Sequence, residues 1–341
     1  MEINKIDKSN LRKVILDEAN QFEEGLKIAK DIKIEGEFKS ITLSGMGGSA
    51  LPGNILRVFI NDLCKRNSEE KERLAVYQNR FYSLPPEAYE NSLNIICSFS
   101  GNTEETVASF DEALRNNLKC VGISSGGKIE QMCKEYGVPF VKLPIPYENF
   151  QPRMAIGYFF ASIFQILINA GLIEDASAEL LKMANNLREK TKEIENIGKV
   201  LANKIKGRTP VVYSSTKYKP VAMIWKIKIN ENAKTPAFWN FFPELNHNEM
   251  VGFTNPQANF IVLMLRDKDD NSQNQKRFDV TADILKNKNI PVEIIDMEKG
   301  SVFYKMFSAL YLGDWMSYYL ALEYGQDPTP VDLVEDLKKI L

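Results

Sequence analysis

The chain has one histidine, His247, and four scattered cysteines, Cys64, Cys97, Cys120 and Cys133. Zinc centres of the usual nitrogen/sulfur kind need several such ligands at short spacings, and no C-x-x-C pair occurs, so that class of site has no ligand set here. No metal is therefore expected, and chemistry must run on carboxylates, ammonium and guanidinium groups, hydroxyls and one imidazole. Cys97 and Cys120 sit inside apolar, strand-like runs, which predicts buried, reduced thiols and a cytoplasmic setting. Excess charge is missing too. Lys and Arg number 43 against 45 Asp and Glu, a net charge of −2. No bulk field draws such a chain to nucleic acid or to an anionic membrane, so any anion must be held locally. Long apolar runs are lacking as well: even Ile156 to Ala170 falls short of a bilayer span. Met1 to Lys8 shows no cationic segment leading into an apolar core, so no secretory signal is expected. A G-x-x-x-x-G-K-[S/T] string is absent, which argues against a P-loop nucleotide site.

What is present is alternation. The 341 residues suffice for two ordinary domains, and 44% hydrophobic with 26% charged residues is a globular balance. Strands are predicted at Ser40–Leu43, Leu74–Tyr77, Leu93–Phe99, Cys120–Ile123 and Pro139–Leu143. Amphipathic stretches at Asn54–Leu63, Thr103–Asn116 and Lys128–Tyr136 lie between them, and a Pro-containing loop, Pro144 to Pro152, leads into an apolar helix, Met154–Ala170. A polar helix, Ala176–Lys204, opens a second cycle with strands at Pro210–Ser214, Pro236–Trp239, Asn259–Leu265 and Pro291–Ile295. An aromatic helix, Val302–Tyr324, and a short one, Val331–Leu341, close the chain. Strand–helix alternation of this kind implies an α/β fold, twice over: two domains, 1–172 and 173–341, each a mainly parallel sheet flanked by helices on both faces. Asp267 to Lys276 reads as a solvated loop without function.

Two loops carry the first chemical signal. Ser44-Gly-Met-Gly-Gly-Ser-Ala50 stands directly between a strand and a helix. Glycines there admit close backbone approach to an anion, and the helix start presents N–H groups, so Gly48 and Ser49 are candidates for holding phosphate. A tight structural turn accounts for the same string. So does a dinucleotide fingerprint, but that requires a carboxylate at the end of the second strand, where Gln78 and Asn79 stand instead. The second loop is Ser98-Phe-Ser-Gly-Asn-Thr-Glu-Glu-Thr106. Asn102 and Glu105 read as a capping box. Ser98, Ser100 and Thr103 would gather at the C-terminal end of a strand, where open α/β sheets bind ligands, and their hydroxyls can donate to phosphate without adding charge.

Together these loops resemble a sugar isomerase (SIS) domain. Asn230-Glu-Asn-Ala-Lys234 and Phe242-Pro-Glu-Leu-Asn-His-Asn-Glu249 narrow the likeness to the bifunctional phosphoglucose/phosphomannose isomerase family, over nearly the whole chain to Asp327-Pro-Thr-Pro-Val331 and Leu337-Lys-Lys339. Two SIS-type domains are then expected. So is an aldose–ketose isomerase that interconverts glucose 6-phosphate, and mannose 6-phosphate, with fructose 6-phosphate through an enediol, without metal or redox cofactor. On composition alone Glu231 is a solvated helix end and His247 a surface histidine. The resemblance makes Glu231 the base and His247 the ring-opening acid. It also implies that Arg153 faces the reacting carbons, that Lys338 (or its neighbour Lys339) assists ring opening, and that Thr329 leaves room for both C2 epimers. Family members resemble one another as homodimers that share active sites, the histidine coming from the neighbouring subunit. Rival readings are a non-catalytic SIS sugar-phosphate sensor, an amino-sugar phosphate isomerase or deaminase, and a dehydrogenase.

Overall fold

Alternating β-branched and leucine-rich runs bounded by Gly, Asn and Ser become central strands when helices cover both faces. The protein follows that rule twice in a computed structural model, which describes residues 3–66 and 74–340. The chain forms two compact units: residues 17–185, and residues 186–341 together with 1–16.

In residues 17–185, strands β1 (Ser40–Gly45), β2 (Ala75–Asn79), β3 (Ser92–Cys97), β4 (Cys120–Ser124) and β5 (Phe140–Lys142) form one parallel sheet of order β2-β1-β3-β4-β5. The order reverses at β1, so β1 and β3 are neighbours whose connections run in opposite directions. Right-handed crossovers then place the helix after β1 and the helices after β3 and β4 on opposite faces. Both faces are packed accordingly, and every residue of β1, β3 and β4 is buried. Beyond α1 (Ile3–Ile6) and α2 (Leu11–Leu16), which belong to the other unit, the helices are α3 (Asn20–Ala29), α4 (Gly47–Arg66), α5 (Glu104–Arg115), α6 (Gly127–Tyr136) and α7 (Ile156–Asn169). Phe110, Ala113, Ile129 and Cys133 of α5 and α6 pack on Ile96 and Cys120. On α3 and α7, Gly25 sits so close to the α7 backbone that a Cβ there would lie 2.9 Å from Tyr158 O.

The other unit repeats the topology with one strand fewer. Strands β6 (Thr209–Ser215), β7 (Phe238–Phe242), β8 (Phe260–Arg266) and β9 (Val292–Asp296) are parallel, in the order β7-β6-β8-β9. Helices α8 (Ser177–Ile205), which starts before the unit does, α9 (Lys219–Ala233), α10 (Ser272–Asn287), α11 (Val302–Glu323) and α12 (Asp332–Ile340) complete it. Phe278, Ala282 and Leu285 of α10 pack with Tyr213, Phe242, Val262 and Met264 of the sheet. The aromatic helix is core: Trp315, Tyr318, Met316 and Leu320 are fully buried. The first sixteen residues join this unit through ion pairing and hydrogen bonding. Arg12 grips Glu195 with Nη2–Oε1 at 2.8 Å, and Tyr318 donates to Asp7 Oδ2 at 3.1 Å.

All nine predicted strands are found, with ends shifted by up to three residues. One expectation fails in the stretch after β8. Asp267–Lys276 is not a plain solvated loop: Asp267 is buried, accepts from Lys305 Nζ at 2.6 Å and Tyr218 OH at 3.0 Å, and α10 begins at Ser272 behind an Asn271 cap. Leu341, the predicted end of the last helix, and the side chain of Cys64 lie outside the described residues.

Burial pushes the Cys120 and Cys133 thiols up to about 12, and the Cys97 thiol upward as well. The thiolate is the reactive form. In a Cys64→Ser background, Ellman's reagent at mildly alkaline pH should therefore label these three thiols only as fast as the chain unfolds. Rapid labelling of folded protein would contradict their burial.

Candidate active site

The C-terminal edge of the first sheet gathers the phosphate candidates. Strand β1 ends in Ser44-Gly45 and α4 starts two residues later, so the chain reverses within Met46-Gly47-Gly48-Ser49. Only glycine fits at 48, where a Cβ would lie 2.5 Å from Arg153 N and 2.7 Å from Pro152 O. The loop and the Pro152–Met154 turn are thus in backbone contact. Ser49 is buried, and its Oγ accepts the Phe99 N–H at 2.9 Å, which ties the loop after β1 to the loop after β3.

In the second loop Ser98 Oγ accepts from Gly101 N at 3.1 Å and lies 2.9 Å from Thr103 Oγ1, while Ser100 Oγ accepts from Asn102 N at 3.2 Å. A hydroxyl whose oxygen is held by a backbone N–H keeps its own proton to donate. Ser49, Ser98 and Ser100 share this arrangement, which suits an anion bound by neutral donors.

The predicted capping box is absent. Thr103 is the helix N-cap and makes no side-chain cap bond, while Asn102 Oδ1 instead accepts from Lys128 N at 3.0 Å. A third loop, Ser124-Ser-Gly-Gly-Lys128, braces the second from behind. Gly101 (φ +72°) lies against Gly126 O, where any Cβ would collide at 1.8 Å, and its own carbonyl accepts from Ile129 N at 3.0 Å. Sequence reasoning missed this brace, although its paired glycines were visible. At the end of β2, Gln78 donates to Ala50 O at 2.9 Å and Asn79 to Ser44 Oγ at 3.3 Å, so the expected ribose position stitches the glycine turn to its neighbour.

Arg153 belongs to the same unit and is 1% exposed. Its Nη1 donates to Gln151 Oε1 at 3.2 Å. The turn that carries it is fixed by α3, from which Gln21 donates to Met154 O at 2.7 Å. Gly48, Ser49, Ser98, Ser100, Thr103 and Arg153 are therefore brought together around one sheet edge.

Glu231, His247, Thr329 and Lys338 all lie in the other unit. Glu231 is half-buried in the last turn of α9, whose end is closed by Lys234 in the left-handed conformation (φ +54°) with Nζ donating to Glu231 O at 2.6 Å. His247 is exposed, in the turn after β7. That turn is pinned on both sides. Glu249 accepts from Tyr213 OH at 2.6 Å and from Asn240 Nδ2, and Asn246 donates to Thr281 Oγ1 at 2.9 Å. A helix that crosses back over a parallel sheet ends at the edge where the next strand starts. Glu231 and His247 therefore stand at opposite ends of β7, a five-residue strand about 16 Å long. Thr329 is buried, with its N–H on Asp327 Oδ1 at 3.1 Å. Lys338 is on the exposed α12, paired with Glu335 at 2.7 Å, and Lys339 is paired in the same way with Asp336 at 2.9 Å.

The second sheet has a different chemistry at the matching edge. Where β3 leads into hydroxyls, β8 leads into Asp267-Lys-Asp-Asp270, and Lys305 bridges Asp267 and Asp269 at 2.6 Å each. A cluster already paired in this way offers an anion little, whereas the first unit's edge presents hydroxyls and backbone N–H groups. Gly48→Ala should weaken binding of inorganic phosphate by about tenfold or more, since a side chain at a close backbone approach displaces the loop. Calorimetric titration measures this, and unchanged affinity would remove the glycine turn from the site.

A model of the bacterial phospho-glucose isomerase C-terminal SIS domain matches residues 194–341. The chain is 37% identical over 331 residues to a bifunctional phosphoglucose/phosphomannose isomerase of Caldicellulosiruptor bescii, covering 94% of each, and 34% identical over 325 residues to one of Aquifex aeolicus, covering 94% and 95%. The fold resembles a hypothetical protein of Thermus thermophilus (TM-score 0.72, 14% identity, 96% and 88% covered). It also resembles the C-terminal domain of glucosamine-fructose-6-phosphate aminotransferase of Francisella tularensis (TM-score 0.67, 15% identity, 94% and 98% covered). Likeness at about a third identity over almost the full length of its relatives, with the Ser98–Thr106, Asn230–Lys234 and Pro243–Asn248 strings in place, makes this chain a member of the bifunctional phosphoglucose/phosphomannose isomerase family.

Proposed function

We propose that the protein isomerises glucose 6-phosphate and mannose 6-phosphate to and from fructose 6-phosphate, as a cytoplasmic homodimer with shared active sites. The observation that carries this reading is the family membership of the whole chain, at 37% identity over 94% of its length. The sugar phosphate's anionic end is gripped by the hydroxyls of Ser49, Ser98, Ser100 and Thr103 and by the Gly48 turn.

Ring opening moves a proton from O1 to the ring oxygen, with His247 and Lys338 as the acid/base pair. Glu231 then takes the C2 proton of the aldose while O1 gains one, giving the enediol. It returns the proton to C1 as O2 loses its own, giving the ketose. Arg153 supplies fixed positive charge for the enediolate, which is best stabilised by preorganised groups. Anchoring at the remote phosphate holds the carbons against the base. Thr329, by the family likeness, is the small hydroxyl residue assigned to leaving C2–C3 rotation room for both epimers.

A dimer is supported by the separation of Glu231 and His247 along β7, which keeps one chain's pair from flanking one sugar. The apolar stripe of α12 supports it too: Leu333 is 89% and Ile340 83% exposed in a single chain, a face that a second copy would cover. The cytoplasmic setting is supported by the buried free thiols Cys97, Cys120 and Cys133.

Glu231→Gln should lower turnover of fructose 6-phosphate into both aldoses by about 10²- to 10⁴-fold, the worth of a positioned base, and leave phosphate affinity unchanged. Turnover within a few-fold of wild type would remove Glu231 from the mechanism. Refolding Glu231→Gln together with His247→Ala should restore about one quarter of wild-type turnover, because half of the dimers are mixed and each regains one intact site. No recovery on mixing would place both residues in the same chain's site.

A further inference from the structure

Beneath Glu231 lies an interaction that the mechanism leaves unused. Lys228 of α9 and Asp314 of α11 form an ion pair with both side chains 1% exposed. One helical turn on, Asn232 Nδ2 donates to Ser317 Oγ at 2.9 Å, and Ser317 Oγ donates to Asp314 O at 3.1 Å. Residues 228 and 232 are i and i+4 on α9, and 314 and 317 are i and i+3 on α11, so each pair forms one stripe and the two stripes meet. The helices touch closely just beside them. Trp225 Nε1 donates to Ala309 O at 2.8 Å, and a Cβ on Gly313 would lie 2.6 Å from that nitrogen. Glu231 falls to one side of the stripe, between its two polar anchors, and the turn beyond is tied by Asn230 Nδ2 to Thr235 O at 2.8 Å and by Lys234 to the Glu231 carbonyl.

A buried ion pair is a poor source of stability compared with apolar residues of equal volume, but it tolerates no misalignment. Advancing α9 by one residue along α11 shifts it by about 1.5 Å and turns it by about 100°, which would leave both charges buried and apart. Apolar contacts between the same helices would accept smaller slips at little cost. We propose that the Lys228–Asp314 pair, with Asn232 and Ser317, is a positioning device that fixes the register of α9 on α11 and thereby the placement of the Glu231 carboxylate. This rests on the reading of Glu231 as the proton-transferring base. A base moving a proton between adjacent carbons must be held within roughly 0.5 Å of its productive place, so a register lock serves turnover rather than affinity.

The test uses the full chain. Lys228→Met with Asp314→Leu replaces the pair by apolar groups of similar size, and thermal unfolding should show a Tm equal to or above wild type. For fructose 6-phosphate, kcat should fall by about 10- to 100-fold with KM within about twofold, since a misplaced group loses transition-state contacts only. Ser317→Ala, which removes one hydroxyl and no bulk, should lower kcat by about 3- to 10-fold at the same KM, and it decides the matter if the double variant does not fold. Wild-type kcat in either folded variant, while Glu231→Gln is inactive, overturns the positioning role and leaves Glu231 as the base. An active Glu231→Gln overturns the reading of the base and the positioning role with it.

Discussion

A parallel strand sends each connection back across a face of its sheet, and this one constraint organises the whole site. Loops that follow strands collect at one edge, and the ends of the returning helices collect at the other. Because β1 and β3 are neighbours whose connections diverge, the glycine turn and the Ser98–Thr103 loop open side by side. The Ser49 hydroxyl joins them through the Phe99 amide. In the other unit the same rule separates Glu231, on a returning helix, from His247, past the end of the next strand. The length of β7 sets how far apart the two residues stand.

Equal topology does not mean equal chemistry. Strands β6 and β8 of the second sheet reproduce the divergence of β1 and β3, yet an Asp–Lys–Asp cluster occupies the edge where the first sheet offers hydroxyls. Burial of Lys305 works against its charge, and the two carboxylates it bridges more than compensate, so its pKa is raised. A site that is already internally neutralised has little to offer an anion. The fold supplies a place for binding, and side chains decide whether it is used.

Charge is treated sparingly inside both units. The loops after β1 and β3 present neutral donors, Arg153 is buried beside the loop backbone, and the Lys228–Asp314 pair is closed off from water. Isolated ions in such surroundings are costly, so each charge that stays must be matched. Matching is directional, and directional contacts hold helices in one register where apolar ones would allow several. Rigid placement of a proton-transferring carboxylate is the use to which that property would be put.

The sequence by itself determined the strands, the alternation that makes the sheets parallel, and the two hydroxyl-bearing loops, because those depend on local periodicity and on residues adjacent in the chain. It also marked Glu231 and His247, though only through likeness to a family, since neither stands out by composition. Tertiary structure alone decided that residues 1–16 join the later unit through Arg12 and Asp7, that Asn102 braces Lys128 instead of capping a helix, and that Asp267 is a buried ion-pair partner rather than part of a solvated loop. Each of these contacts joins residues from 26 to more than 300 positions apart. No local pattern encodes such a meeting, because it is fixed by how helices pack across the sheets and not by the propensities of the residues that meet.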